Sequence, residues 1–192
     1  MYTIDKDYKY ELIIKNSRFI TILYKINKES NIDKILNSIK KEYPDATHYC
    51  YAYITSNIKK SSDDGEPSGT AGIPILKVLE NNNLTNVLAI VVRYFGGIKL
   101  GANGLIRAYT KGVANAIKEV NLKKLIDGFN IDITFNYDNI KNIDYILKDI
   151  KINNKTFDNL VIYNIDIAKE DLNIIDNNKL TYKVIKEIQL EK

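Results

Sequence analysis

Three carboxylates, Asp63, Asp64 and Glu66, crowd one short stretch of the chain, Ser61-Ser62-Asp63-Asp64-Gly65-Glu66-Pro67-Ser68-Gly69-Thr70-Ala71-Gly72. Clustered oxygen ligands suit Mg²⁺, a hard cation that takes carboxylates and water. The spacing does not match a calcium loop. The same residues also suit turn chemistry. Asp64-Gly65 and Glu66-Pro67 are turn pairs, and Ser68 or Thr70 is placed to cap a following helix. Both readings, a metal or ligand site and a turn with a cap, stand at this level.

A second segment, Arg93-Tyr94-Phe95-Gly96-Gly97-Ile98-Lys99-Leu100-Gly101-Ala102-Asn103-Gly104-Leu105-Ile106-Arg107, runs from an apolar stretch through glycines into a helical pattern. Backbone N–H groups at such a helix start can converge on an anion. Arg93, Lys99 and Arg107 are the cations placed to complement it. The order of glycines is neither the dinucleotide fingerprint nor a Walker A loop. Close packing of loop on sheet is the other use of these glycines. His48 and Cys50 lie two apart and so share one side of a strand. They form a conceivable nucleophilic pair, but nothing in the sequence supplies a third, orienting group. With one His and one Cys, a structural zinc site within the monomer is excluded.

These segments need elements to hold them. The periodicity predicts strands over 8–27 around a Lys15-Asn16-Ser17-Arg18 turn, and a helix capped by Ser30 or Asn31 running to about Tyr43. A strand over 47–55, a long loop over 56–72 and a short helix over 73–79 follow. The unbroken apolar run Val87–Val92 is the pattern of a strand covered on both faces. A glycine loop over 96–104 leads into a helix to about Val120, burying Leu105, Ile106, Tyr109, Val113, Ala116 and Ile117. Beyond a composition break at 121–128, read as a linker, strand and helix patterns alternate as βαββαβ, with Asp138 as a helix cap. That order fits a ferredoxin-like domain. The fold class is therefore α+β in two domains, 1–123 and 124–192.

Of the 192 residues, 45% are hydrophobic and 27% charged, enough for a sizeable core. The net charge of +4 comes from the first 120 residues, where 17 Lys and Arg stand against 12 Asp and Glu. A modest basic bias suits an anionic partner. No apolar run reaches the roughly 18 residues of a membrane span. The N-terminal residues lack a signal-peptide pattern, and the single cysteine fits a reducing compartment. A cytoplasmic location, without a membrane partner, is the expectation.

The two glycine-rich segments closely resemble the two signatures of the IMPACT/YigZ family, and Ser17-Arg18-Phe19 and Ala46-Thr47-His48 are also similar to it. The resemblance covers about residues 8–120, and the tail resembles the C-terminal domain of bacterial members. Tyr43 stands before Pro44 where members often have His, and Asn103 replaces a common Gly. The resemblance implies a ribosomal-protein-type βαβ fold for the first domain, similar to domain IV of elongation factor G, and a second domain similar to its domain V. It also implies translation regulation under stress, since eukaryotic members act through a ribosome-associated partner during amino-acid starvation.

Taken with the residues, the leading expectation is a non-enzymatic module that binds RNA, the ribosome or a translation-associated protein. Its contact surface is Ser61, Ser62, Asp63, Asp64, Gly65, Glu66, Ser68, Arg93, Tyr94, Gly96, Gly97, Lys99, Gly101, Asn103, Gly104 and Arg107. The alternatives are an Mg²⁺-dependent phosphate-ester or nucleotide hydrolase using Asp63, Asp64 and Glu66, and a protein–protein regulator without nucleic-acid contact.

Overall fold

A computed structural model describes residues 1–27 and 32–192, so the expected Ser30 or Asn31 cap lies outside the described residues. The chain divides into two compact units, Met1–Lys123 and Lys124–Lys192.

In the first unit, β1 (Tyr2–Ile4) bridges Leu84. The strands β2 (Tyr8–Ile14) and β3 (Ser17–Lys25) form a hairpin. Lys15 and Asn16 turn it with φ of 45° and 64°, the primed geometry that matches strand twist. Next come α1 (Ile32–Glu42), β4 (His48–Ile54), β5 (Lys59–Ser62), α2 (Gly72–Asn81), β6 (Val87–Tyr94) and α3 (Ala102–Glu119). The sheet order is β2-β3-β6-β4-β5, with every neighbour antiparallel. Thus β3, α1 and β4 form a crossover with β6 inserted between its strands.

The central strand β6 is covered on both sides, as its apolar run requires. Val87, Ala89 and Val91 join the cluster under α2 and α3, whereas Leu88, Ile90 and Val92 join the cluster under α1. The expected loop over 56–72 is partly strand, because β5 pairs with Tyr51–Ile54 along the sheet edge. The second glycine loop is shorter than expected. Helix α3 begins at Ala102, so Asn103 and Gly104 stand in its first turn. Ile106, expected inside, is 37% exposed.

The second unit holds β7 (Leu122–Phe135), α4 (Ile140–Ile146), β8 (Ile152–Phe157), β9 (Val161–Ala168), α5 (Leu172–Asn177) and β10 (Thr181–Glu191), β7 starting two residues before the unit boundary. These four strands order as β10-β7-β9-β8, all antiparallel. Ile131, Ile133 and Phe135 alternate into a core with Ile143, Leu147 and Ile175. The expected linker over 121–128 is strand instead: β7 is continuous, and Leu125–Gly128 are paired with β10. Asp138 makes no side-chain cap; a 3-10 turn, Tyr137–Asn139, leads into α4. Among the described residues no helix is long and apolar enough to cross a membrane.

Candidate functional site

Strand register sets the site's foundation. Phe19 on β3, Arg93 on β6 and His48 on β4 lie in one row across the sheet. Alternation along β6 puts Arg93 on the same face as Val91, beside α3. A guanidinium with 5% of its side chain exposed needs a counter-charge. Glu66, 3% exposed, supplies it at 2.5 Å from Nη1. The Tyr109 hydroxyl of α3 donates to the same Oε1 at 2.8 Å. The Tyr109 ring stands edge-on to Phe19 at 5.4 Å. The guanidinium lies over the rings of Phe19 and Phe95 at 5.3 and 5.6 Å, and Nη2 reaches Ser17 Oγ at 3.4 Å. Its Nε is buried with no hydrogen-bond partner among the described residues.

The first glycine-rich segment is built to deliver Glu66. Glu66 N–H donates to Asp63 O across a turn whose central residues, Asp64 and Gly65, have φ of 43° and 85°. Asp63 turns back and accepts from the N–H groups of Gly69, Ala71 and Gly72 at 2.8, 3.0 and 2.8 Å. Asp63 therefore caps α2, in place of the expected Ser68 or Thr70; Thr70 instead donates its hydroxyl to Pro67 O. Burial alone would raise the Asp63 pKa, but the three N–H bonds outweigh it and hold the group below the usual carboxylate range. Asp64 Oδ2 accepts from Tyr49 N–H at 2.6 Å.

The carboxylates expected to share Mg²⁺ thus have separate partners within the chain. Among the described residues no three His, Cys, Asp or Glu stand together as a metal-binding group.

Cys50 and His48 share a strand face but not a chemistry. Cys50 is wholly buried, its thiol donating to Asp63 O at 2.9 Å, with Tyr109 Oη at 3.3 Å. Burial pushes that thiol up to about 12, with the Glu66, Asp64 and Asp63 charges adding to the rise and the Tyr109 hydrogen bond opposing it. It is no nucleophile at neutral pH. Tyr109 is likewise held far above its usual range, by burial first and by Cys50 and Glu66 beside it, so its hydroxyl stays a donor. His48 Nδ1 lies 2.8 Å from Asp64 O; a carbonyl only accepts, so Nδ1 carries the hydrogen. Its Nε2 is 3.8 Å from Glu66 Oε2.

Above this floor a cavity of about 430 Å³ opens between the two glycine-rich segments. Of the expected contact residues, Glu66, Arg93, Lys99 and Gly101 line it. Thr47, His48, Pro67, Phe95, Leu100, Ala102 and Leu105 complete the lining. Ser61, Ser62, Asp63, Asp64, Gly65, Ser68, Tyr94, Gly96, Gly97, Asn103, Gly104 and Arg107 are not among the lining residues. Several of them support it. Ser61 and Ser62 pair in β5. Gly96 packs so tightly that a Cβ would sit 2.1 Å from the Asn16 carbonyl carbon. Tyr94 bonds Pro44 O. The signal for His48 was present in the Ala46-Thr47-His48 resemblance, and that for Phe95 in the resemblance of the second glycine-rich segment, where it stands just before the glycines.

A family model, the Impact N-terminal domain, matches residues 15–117, the stretch that holds this whole site. The chain belongs to the IMPACT family. IMPACT family member YvyE of Bacillus subtilis is 44% identical over 124 residues, covering 63% of this chain and 57% of that protein. IMPACT family member YigZ of Escherichia coli is 40% identical over 116 residues, 58% of this chain and 57% of that one. The chain thus spans little more than half the length of these IMPACT relatives. A crystal structure of a hypothetical protein, 29% identical, matches 96% of this chain and 97% of its own with a TM-score of 0.68.

Proposed function

We propose that this IMPACT-family chain is a non-enzymatic, cytoplasmic, translation-associated regulator, and that the cleft between its glycine-rich segments contacts RNA, on the ribosome or free. We also read its first domain as ribosomal-protein-type and its second as ferredoxin-like, on the split crossover of the first sheet and the β10-β7-β9-β8 order of the second. The observation that carries the functional reading is the rim of the cavity. Lys99 is exposed there, beside Gly101, at the start of an 18-residue helix with no side-chain cap. A cation beside a helix N-terminus, with its first-turn N–H groups and dipole, favours an anion. The hydrolase alternative loses support because Asp63, Asp64 and Glu66 are engaged by Gly69, Ala71, Gly72, Tyr49 and Arg93.

Nucleic-acid binding at such a site falls with salt, as each neutralised phosphate releases counterions. For Lys99→Ala with Arg107→Ala, we expect weaker binding to single-stranded RNA and to purified ribosomes, and a log–log salt slope flatter by about one to two units. Lys123→Ala with Lys124→Ala is the control. Wild-type slope in the first pair with loss in the control would remove the cleft from consideration. One observation favours the protein–protein alternative: Phe95, Ile98 and Ile106 are 46%, 46% and 37% exposed. Ribosome binding that survives ribonuclease trimming and is indifferent to salt would favour it.

A further inference from the structure

The cavity has a gradient of chemistry from floor to rim. Its most buried polar side chains are Glu66, Arg93 and His48, 3%, 5% and 18% exposed. They offer both signs of hydrogen bonding. Arg93 carries N–H donors, whereas His48, its hydrogen on Nδ1 toward Asp64 O, offers Nε2 as an acceptor. Glu66 Oε1 is occupied by Arg93 and Tyr109, while its Oε2 stays 3.8 Å from His48, beyond hydrogen-bond length. Pro67, Leu100 and Leu105 make apolar walls. At the rim stand the Phe95 ring, 46% exposed, the exposed Lys99, and the uncapped start of α3 at Ala102. Gly101 there has φ of 70° and nothing within 4 Å of where a Cβ would lie, so the backbone is open to close approach.

The matching ligand is flat and apolar on its faces, carries donors and acceptors on its edge, and bears its negative charge at the other end. That describes a nucleotide with its base inside and its phosphate outside. An acidic peptide would bring a carboxylate against Glu66. A duplex keeps its base edges paired and stacked, out of reach of a cavity of about 430 Å³. Single strands offer splayed bases to aromatic side chains.

We propose that the cavity takes one unpaired nucleotide of an RNA strand, its base in the pocket against Phe95 and its phosphate on Lys99 and the first turn of α3. This rests on the RNA reading above and adds a mode of binding to it.

The chain has no Trp, so Phe95→Trp installs a single reporter at the rim. The full chain carrying it is titrated with a mixed-sequence RNA strand, the same strand annealed to its complement, and an abasic strand of equal length. We expect saturable quenching by the strand and none by the duplex. The abasic strand should bind about 5- to 150-fold more weakly, the loss of one stacked base. In parallel, wild type and Phe95→Leu are titrated with a strand containing 2-aminopurine, whose fluorescence should change with wild type and much less with Phe95→Leu. This arm does not depend on how the tryptophan variant folds. Equal response to duplex and abasic strand would overturn the proposal, since only backbone is then bound. Displacement of the strand by a polyglutamate peptide at matching affinity would overturn it in favour of a carboxylate site. Strand binding with both reporters silent would overturn it and leave the RNA reading standing. Absence of binding by every nucleic acid would overturn both.

Discussion

Asp63 shows how one side chain can replace several expected ones. Its two oxygens take three backbone donors of the chain that starts α2, from residues six to nine positions ahead. Helix-capping rules look for the cap immediately before the helix. A carboxylate eight or nine residues upstream of the N–H groups it serves has no local signature, so Asp63 reads as a ligand in sequence and as a cap in structure. The folded-state pKa is depressed below that of the unfolded chain. Its stabilisation is therefore present above the ordinary carboxylate value, about 3.9, and is lost as pH falls through the folded value. Asp63→Asn keeps one acceptor oxygen and removes the charge. We expect it to cost about 1–3 kcal/mol at neutral pH in urea denaturation. The gap to wild type should shrink below about pH 4 as the native carboxylate protonates. A constant gap down to pH 2 would show that charge plays no part.

The elements were legible in proportion to their apolar content. Val87–Val92 has side chains for both core clusters, and so its burial on two faces could be read directly. Lys59-Lys60-Ser61-Ser62 has none, because β5 is an edge strand held by backbone pairing with β4. Residues 121–128 misled for a related reason: their charged residues lie on β7, whose pairing with β10 is equally invisible to composition. The glycines divide by role in a way sequence could not sort. Gly96 is required by contact, with Asn16 backbone atoms 2.1 and 2.2 Å from a notional Cβ, whereas Gly97 is required only by its φ of 82°, with open space around it. Gly97→Ala should cost about 1–2 kcal/mol, the left-handed penalty for an L-residue. Gly96→Ala should cost more, because the β2–β3 turn must move away. Thermal melts of the two variants give the comparison, and equal losses would refute the distinction.

For the whole molecule, the site belongs to one unit. Every residue lining the cavity lies between Thr47 and Leu105, inside Met1–Lys123. That unit has two apolar clusters, one on each face of its sheet. Residues 1–123 expressed alone should unfold in one cooperative transition and retain the salt-dependent RNA binding proposed above. A broad, non-cooperative melt would show that the cut through β7 at Lys123 is not tolerated. Limited proteolysis of the full chain should spare 122–128, since paired strand is a poor protease substrate.

The sealed state of Cys50 has a practical side. It is the chain's only cysteine, it has no accessible surface, and its thiol sits at about 12. Alkylating reagents attack the thiolate, so the native chain is chemically silent toward them. Lys99→Cys therefore presents the single reactive handle of the folded protein, at the cavity mouth, with no need to delete the natural residue. Slow modification of Cys50 itself then counts the moments when strand β4 and helix α3 part.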